Sequence, residues 1–169
     1  KYASELVTRR YGQLHHFPTV SVRLGTPFGP MERVTGHRVN QSLLKDWTGS
    51  IVQGFPIKVG DQSVERTFTY VRDIAGGVCA VVDAPFLSYD LYNVSTGEKT
   101  SLKHIIHVFS ELHPDLQVLD SADLGPPPGG GNFMKSDRLV TDLEFYPQYD
   151  LRSALTEYLG WLRANDFEE

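Results

Sequence analysis

The run Gly25-Thr26-Pro27-Phe28-Gly29-Pro30 follows directly on Val20-Ser21-Val22-Arg23-Leu24. Val20, Val22 and Leu24 alternate with polar residues, the period of a strand. Proline lacks the N–H that a ladder needs, and glycine loses the most backbone freedom in any regular element. The chain is therefore expected to leave its strand at Gly25 and enter a fixed loop. In open α/β folds that position, just past the carboxyl end of a strand, is where ligands bind.

The rest of the sequence supplies the α/β context. Ala3, Leu6, Val7, Tyr11 and Leu14 fall at helical spacing and predict an amphipathic helix over 2–14. A helix is expected over 40–53, a short strand at Ile57-Lys58-Val59 and another at 67–71. Asp73 suits the cap or first turn of a helix carrying Ile74, Val78, Val81 and Val82, with Cys79 as a buried small residue. Tyr92-Asn93-Val94 reads as a strand, and Thr100 or Ser101 caps a helix that Pro114 stops. A short strand near 116–119, a short helix over 137–143 and a last helix capped by Asp150 complete the alternation. Strand and helix in turn mean an α/β fold.

Composition removes several function classes. Lys+Arg 16 against Asp+Glu 21 gives −5, so no nucleic-acid partner is expected, because such binding neutralises phosphates with a cationic face. No apolar run approaches the roughly 20 residues that span a bilayer, so no membrane partner is expected. A single cysteine excludes an internal disulfide framework and a Cys-rich zinc site. No signal peptide is visible, which makes a cytoplasmic location the expectation. His104 and His107 lie three apart on a helix, but without a carboxylate pattern they read as surface or packing residues rather than metal ligands. The chain opens on Lys1 without a Met and enters a helical pattern at once, which predicts the C-terminal part of a longer polypeptide.

Four stretches in order resemble the C-terminal half of an extended short-chain dehydrogenase/reductase of the NAD-dependent epimerase/dehydratase family. Lys1-Tyr2-Ala3-Ser4-Glu5-Leu6-Val7 resembles the helix that begins inside the family's Tyr-x-x-x-Lys motif. Arg23 to Pro30 resembles its R-x-x-N-x-Y-G-P loop, and Arg66 to Ala75 its R-D-F-x-Y-V-x-D-V-A segment. Tyr92 to Gly97 resembles its Y-N-I-G-x-G strand end, and 135–147 its closing pattern.

The resemblance implies the last elements of a Rossmann-type domain over 1–30. It implies a mainly substrate-binding domain over 31–169, with about 66–97 returning to the Rossmann side. No G-x-x-G-x-x-G loop is present, and no tyrosine has a lysine four residues later. The dinucleotide-binding half and the catalytic tyrosine are therefore expected upstream of Lys1.

By the same resemblance Lys1 is the catalytic lysine and binds the nicotinamide ribose of NAD or NADP. Its ammonium favours the phenolate of the missing tyrosine, because a nearby positive charge lowers an acid's pKa. Taken alone, Lys1 is a solvated terminal lysine. Leu24, Gly25 and Thr26 run past the nicotinamide, with Thr26 also facing substrate; the residues alone allow a purely structural turn. Thr26 stands where the family has Asn, and Phe28 where it has Tyr.

Arg66 matches the family arginine that holds substrate phosphates, which its planar donors suit; the alternative is an ion pair with Glu65 or Asp73. Val59 lies on the strand expected along a nucleotide base, a weak signal because any short strand would read so. Arg33 and Arg38, with His37, are candidates to grip an acidic substrate group, or form a solvated basic loop. No metal is implied.

The function implied is that of an NAD(P)-dependent sugar or nucleotide-sugar epimerase/dehydratase, this chain supplying the substrate-binding half and being inactive alone. A homodimer through the helix at 2–14 is also implied. The stretch 129–134 has no second phosphate-gripping arginine. That keeps a uronate or aldonate dehydrogenase open. A non-catalytic relative acting as a ligand-binding or dimerisation module is the other alternative.

Overall fold

A computed structural model describes residues 1–32, 42–121 and 133–165. Helix α1 spans Tyr2–His15. Strand β1 (Ser21–Leu24) pairs in parallel with β6 (Leu91–Val94), Val22 opposite Tyr92. At Gly25 the chain changes partner. Its N–H still donates to the Val94 carbonyl at 2.8 Å, but the next N–H, of Thr26, donates to Thr67 at 3.3 Å. Residues Thr26–Phe28 then form β2, parallel to β5 (Phe68–Tyr70). The expected loop at 25–30 is thus corrected. Pro27 is tolerated inside β2 because, among the described residues, the strand is paired on one side only.

Helix α2 (Leu43–Val52) starts at Ser42, whose side chain accepts from the Lys45 N–H. Strand β3 (Ile57–Val59) lies parallel to β8 (Val118–Asp120). Between them in sequence come β4 (Glu65–Arg66) and β7 (Thr100–Ser101), an antiparallel pair. Two residues per strand are too few for a periodic signal, which is why neither was expected. Helix α3 covers Val71–Asp83, α4 Leu102–Leu112, α5 Asp137–Leu143 and α6 Leu151–Ala164. Ser101 caps α4 by accepting from His104, and Asp150 caps α6 by accepting from Ser153. Each cap satisfies an N–H that the helix itself leaves orphaned.

Two cores result. The first joins α2, β3, β5, α4 and α6 around Leu44, Trp47, Ile57, Phe68, Ile105 and Phe109. The second joins β1, α3, β6 and α5 around Ile74, Val81, Tyr92, Val94 and Leu139, with Val20 and Val22 packed on it. The Arg72–Glu157 ion pair, 2.7 Å, links α3 to α6. So does Asp73, which is buried in the first turn of α3. Its two oxygens accept the N–H groups of Gln148 (2.7 Å) and Tyr149 (3.2 Å), fixing the segment that enters α6.

One apolar expectation is corrected. Cys79 is exposed rather than buried. Val82 is 73% exposed, because α3 turns Ile74 and Val81 inward and this pair away. The apolar stripe of α1 is open as well: Leu6, Val7, Tyr11 and Leu14 are exposed, and only Gly12 is buried. Gly12 is pressed so close to the following segment that a Cβ would lie 2.7 Å from Thr19. Among the described residues no helix is long and apolar enough to cross a membrane.

Candidate functional site

The parallel strands β1 and β6 end together, and the chain then diverges toward β5. Polar side chains fill the point of divergence. Thr69 and Ser95 are buried. Thr69 Oγ1 accepts the Thr96 N–H at 3.2 Å. Ser95 Oγ donates to the Met134 carbonyl at 2.7 Å and accepts the Gly97 N–H at 3.0 Å. Gly25 packs into this knot. A Cβ there would sit 2.7 Å from Thr69 Oγ1 and 3.2 Å from Ser95 Cβ, so the glycine is explained by inward packing. Thr26, the next residue, is exposed on the far side of the turn.

Helix α1 runs antiparallel to β1. Arg9 Nε meets Asp90 at 2.7 Å, and the Asp90 carbonyl accepts from Ser21 where both strands begin. One helical turn earlier, Glu5 accepts from Arg23 near the end of β1. A further turn back stands Lys1, exposed, at the carboxyl end of β1. Lys1 also starts the helix, its carbonyl accepting from Ser4 at 3.0 Å and Glu5 at 3.3 Å. Lys1, Leu24, Gly25 and Thr26 therefore share one end of the sheet.

Arg66 reaches that end from the other side. It sits on β4 opposite Thr100 and is 9% exposed. Its neighbour Thr67 carries the carbonyl that receives the Thr26 N–H, so Arg66 lies one residue from a backbone contact of Thr26, although the two stand on different ladders, β4–β7 and β2–β5. Burial pushes the Arg66 guanidinium below its ordinary pKa. An arginine starts so far above neutrality that it stays cationic. Val59 is 1% exposed and its side chain is committed to the first core. The structure thus separates Val59 from the exposed candidates. Arg33 and Arg38, with His37, lie outside the described residues. The Glu32 carboxylate accepts the Ser42 N–H at 3.3 Å and its hydroxyl at 2.7 Å.

Residues 1–95 match the model of the NAD dependent epimerase/dehydratase family. The chain belongs to that family. It is 26% identical over 167 residues to the uncharacterized UDP-glucose epimerase YtcB of Bacillus subtilis, covering 97% of this chain and 50% of that protein. Its fold matches that of a UDP-glucose 4-epimerase from Thermotoga maritima, solved with UDP-glucose. The TM-score is 0.83 at 17% identity, over 97% of this chain and 52% of that one. A UDP-glucuronic acid 4-epimerase from Bacillus cereus, solved with UDP-glucuronic acid and NAD, matches with a TM-score of 0.75 at 21% identity, over 97% and 51%. The chain spans about half the length of the curated relatives it matches.

The family's dinucleotide can be tested against the residues present. Its nicotinamide end is a flat ring joined to a ribose diol. Leu24, 44% exposed, offers an apolar side chain at the strand end. Lys1, also exposed, offers three donors to hydroxyls. Those two fit the group. Gly25 adds closeness of backbone but is required by Thr69 in any case. Sequence reasoning missed the polar knot of Thr69 and Ser95, because hydroxyl residues in strands carry no periodic signal. It also left the service of Asp73 to distant backbone unseen.

Proposed function

We propose that a protein carrying this chain is an NAD(P)-dependent epimerase or dehydratase of nucleotide sugars, in which this chain supplies most of the substrate-binding half. Residues 1–30 would complete the dinucleotide domain, together with the part of 66–97 that packs on β1. The observation that carries the reading is the Thr26 N–H bond to the Thr67 carbonyl, which brings Thr26 to the residue after Arg66 just past the carboxyl end of β1. Relatives solved with UDP-glucose or UDP-glucuronic acid support that substrate class.

Each residue then has a role its chemistry suits. Lys1 and Leu24 would hold the nicotinamide end of the dinucleotide. When bound, the dinucleotide accepts and can return a hydride. The Lys1 ammonium would also stabilise the phenolate of a tyrosine supplied by the rest of the protein, readying it as a general base. Thr26 would hydrogen-bond the sugar through its hydroxyl. Arg66 would pair two donors with a substrate phosphate. Its burial and its antiparallel ladder fix the guanidinium before substrate arrives, so little ordering remains to oppose binding. Val59 would contribute backbone rather than side chain. Arg33 and Arg38 would meet the acidic end of the substrate. The exposed Leu6, Val7, Tyr11 and Leu14 of α1 would pair with a second copy to form a homodimer.

The test is kinetic, in the full-length protein. Arg66→Ala should raise KM for UDP-glucose or UDP-glucuronate by about 10- to 100-fold, from the ~1.5–3 kcal/mol of hydrogen bonds to a charged group. The value of kcat should change far less. An unchanged KM removes Arg66 from the site. Failure of the wild-type protein to bind or convert either nucleotide sugar overturns the reading.

A further inference from the structure

The β1–β6 ladder has two faces. Val22, Tyr92 and Val94 turn toward the second core. Side chains alternate along a strand, so Arg23, Leu91 and Asn93 occupy the opposite face. There they wall a cleft of about 260 Å³ together with Lys135, Asp137 and Arg138. Three cations meet one carboxylate in this wall, in a chain whose net charge is −5.

The cations are held in place. Arg23 is pinned by two hydrogen bonds to Glu5. Arg138 donates to the Leu91 carbonyl at 3.1 Å and lies 4.5 Å from the centre of the Tyr89 ring. The backbone at Lys135 is fixed by its carbonyl, which accepts from Asn93 Nδ2 at 2.8 Å. That bond also sets which end of the Asn93 amide is the oxygen. Asn93 Oδ1 is buried and accepts no hydrogen bond. Asn93 is among the residues that line the cleft, and this oxygen is closed to solvent.

We infer that this cleft is a second ligand site, distinct from the Thr26 and Arg66 positions, for a small anion such as a sugar phosphate or sugar acid. The phosphate or carboxylate would meet Arg23, Lys135 and Arg138, whose donors suit its oxygens.

Calorimetric titration of the full-length protein tests this, with NAD and UDP present to fill the other phosphate sites. Inorganic phosphate is the first probe. Saturable phosphate binding is expected, at least ten-fold weaker in the Lys135→Gln/Arg138→Gln double variant and retained in Arg66→Ala. Lys135→Gln alone, at an exposed side chain, should weaken it several-fold and guards against misfolding of the double variant. Glucuronate and glucose 1-phosphate, titrated in turn, separate the carboxylate source from the phosphate source. No saturable binding, or binding that Arg66→Ala abolishes and the double variant leaves unchanged, overturns the site. The variants carry the readout, so it stands apart from whether the nucleotide-sugar reading holds.

Discussion

The Arg23 guanidinium closes on the Glu5 carboxylate through two bonds, Nε to Oε1 at 2.8 Å and Nη2 to Oε2 at 2.6 Å. This pair joins α1 to the sheet and sets where Lys1 stands. The hydrogen bond from Arg23 holds the Glu5 carboxyl below its ordinary pKa. A depressed carboxylate contributes stability above its unfolded pKa, of about 4.3, and loses it as pH falls through the lower folded value. Acidification below about pH 4 should therefore loosen α1, seen as faster amide exchange over 4–12. Glu5→Gln should exchange faster at neutral pH and lose that acid dependence. Equal exchange in both proteins at every pH would remove the pair as the anchor.

Asp73 is expected to matter more for stability, since it is buried and serves two backbone donors. Asp73→Ala leaves both N–H groups without their acceptor. The cost should be at least about 2 kcal/mol, given ~1–3 kcal/mol for each unsatisfied buried donor. Asp73→Asn keeps one acceptor oxygen and should lose less. Urea midpoints at constant m-value decide it, and identical midpoints for wild type and Asp73→Ala would refute the role.

Two glycines should respond oppositely to alanine. At Gly25 a Cβ meets Thr69 Oγ1 at 2.7 Å, and overpacking of this kind costs about 1–3 kcal/mol. At Gly160, inside α6, a Cβ meets nothing within 4 Å. Alanine there should stabilise by about 0.5–1 kcal/mol through helix propensity. Thermal denaturation of both variants checks the contrast, and a Gly25→Ala protein as stable as wild type would contradict the packing.

Phe109 is fully buried in the first core, its ring 6.4 Å from that of Trp47 in an edge-on arrangement. Phe109→Ala should cost about 3–5 kcal/mol, the transfer term plus the cavity. A loss under about 1 kcal/mol in denaturant titration would mean that α2 and α4 collapse freely into the gap.

Local pattern made much of the fold legible. The helices over 2–15, 71–83 and 137–143 lie where the side-chain pattern put them, as does the strand at Ile57–Val59. Asp150 and Ser101 cap their helices because a cap depends only on residues up to three ahead. The candidate site was legible in part. Arg66 and Thr26 stand out by residue type, but the backbone bond that brings Thr26 to Thr67 spans some forty residues of sequence, which no local period records.

The sequence by itself determined the α/β class, the order of most elements, and the family through its four ordered motifs. Those properties follow from side-chain period, capping chemistry and fixed spacing, all of them short-range. Only the tertiary structure decided that Gly25 is the point where one strand changes partner and that Asp73 serves the entry to α6. It also decided that Val59 faces the core, that Cys79 faces away from it, and that Lys135 and Arg138 gather beside Arg23. Pairing partners, burial and charge clusters arise when distant segments compete for the same apolar surface and hydrogen-bonding groups, and that competition is settled only in three dimensions.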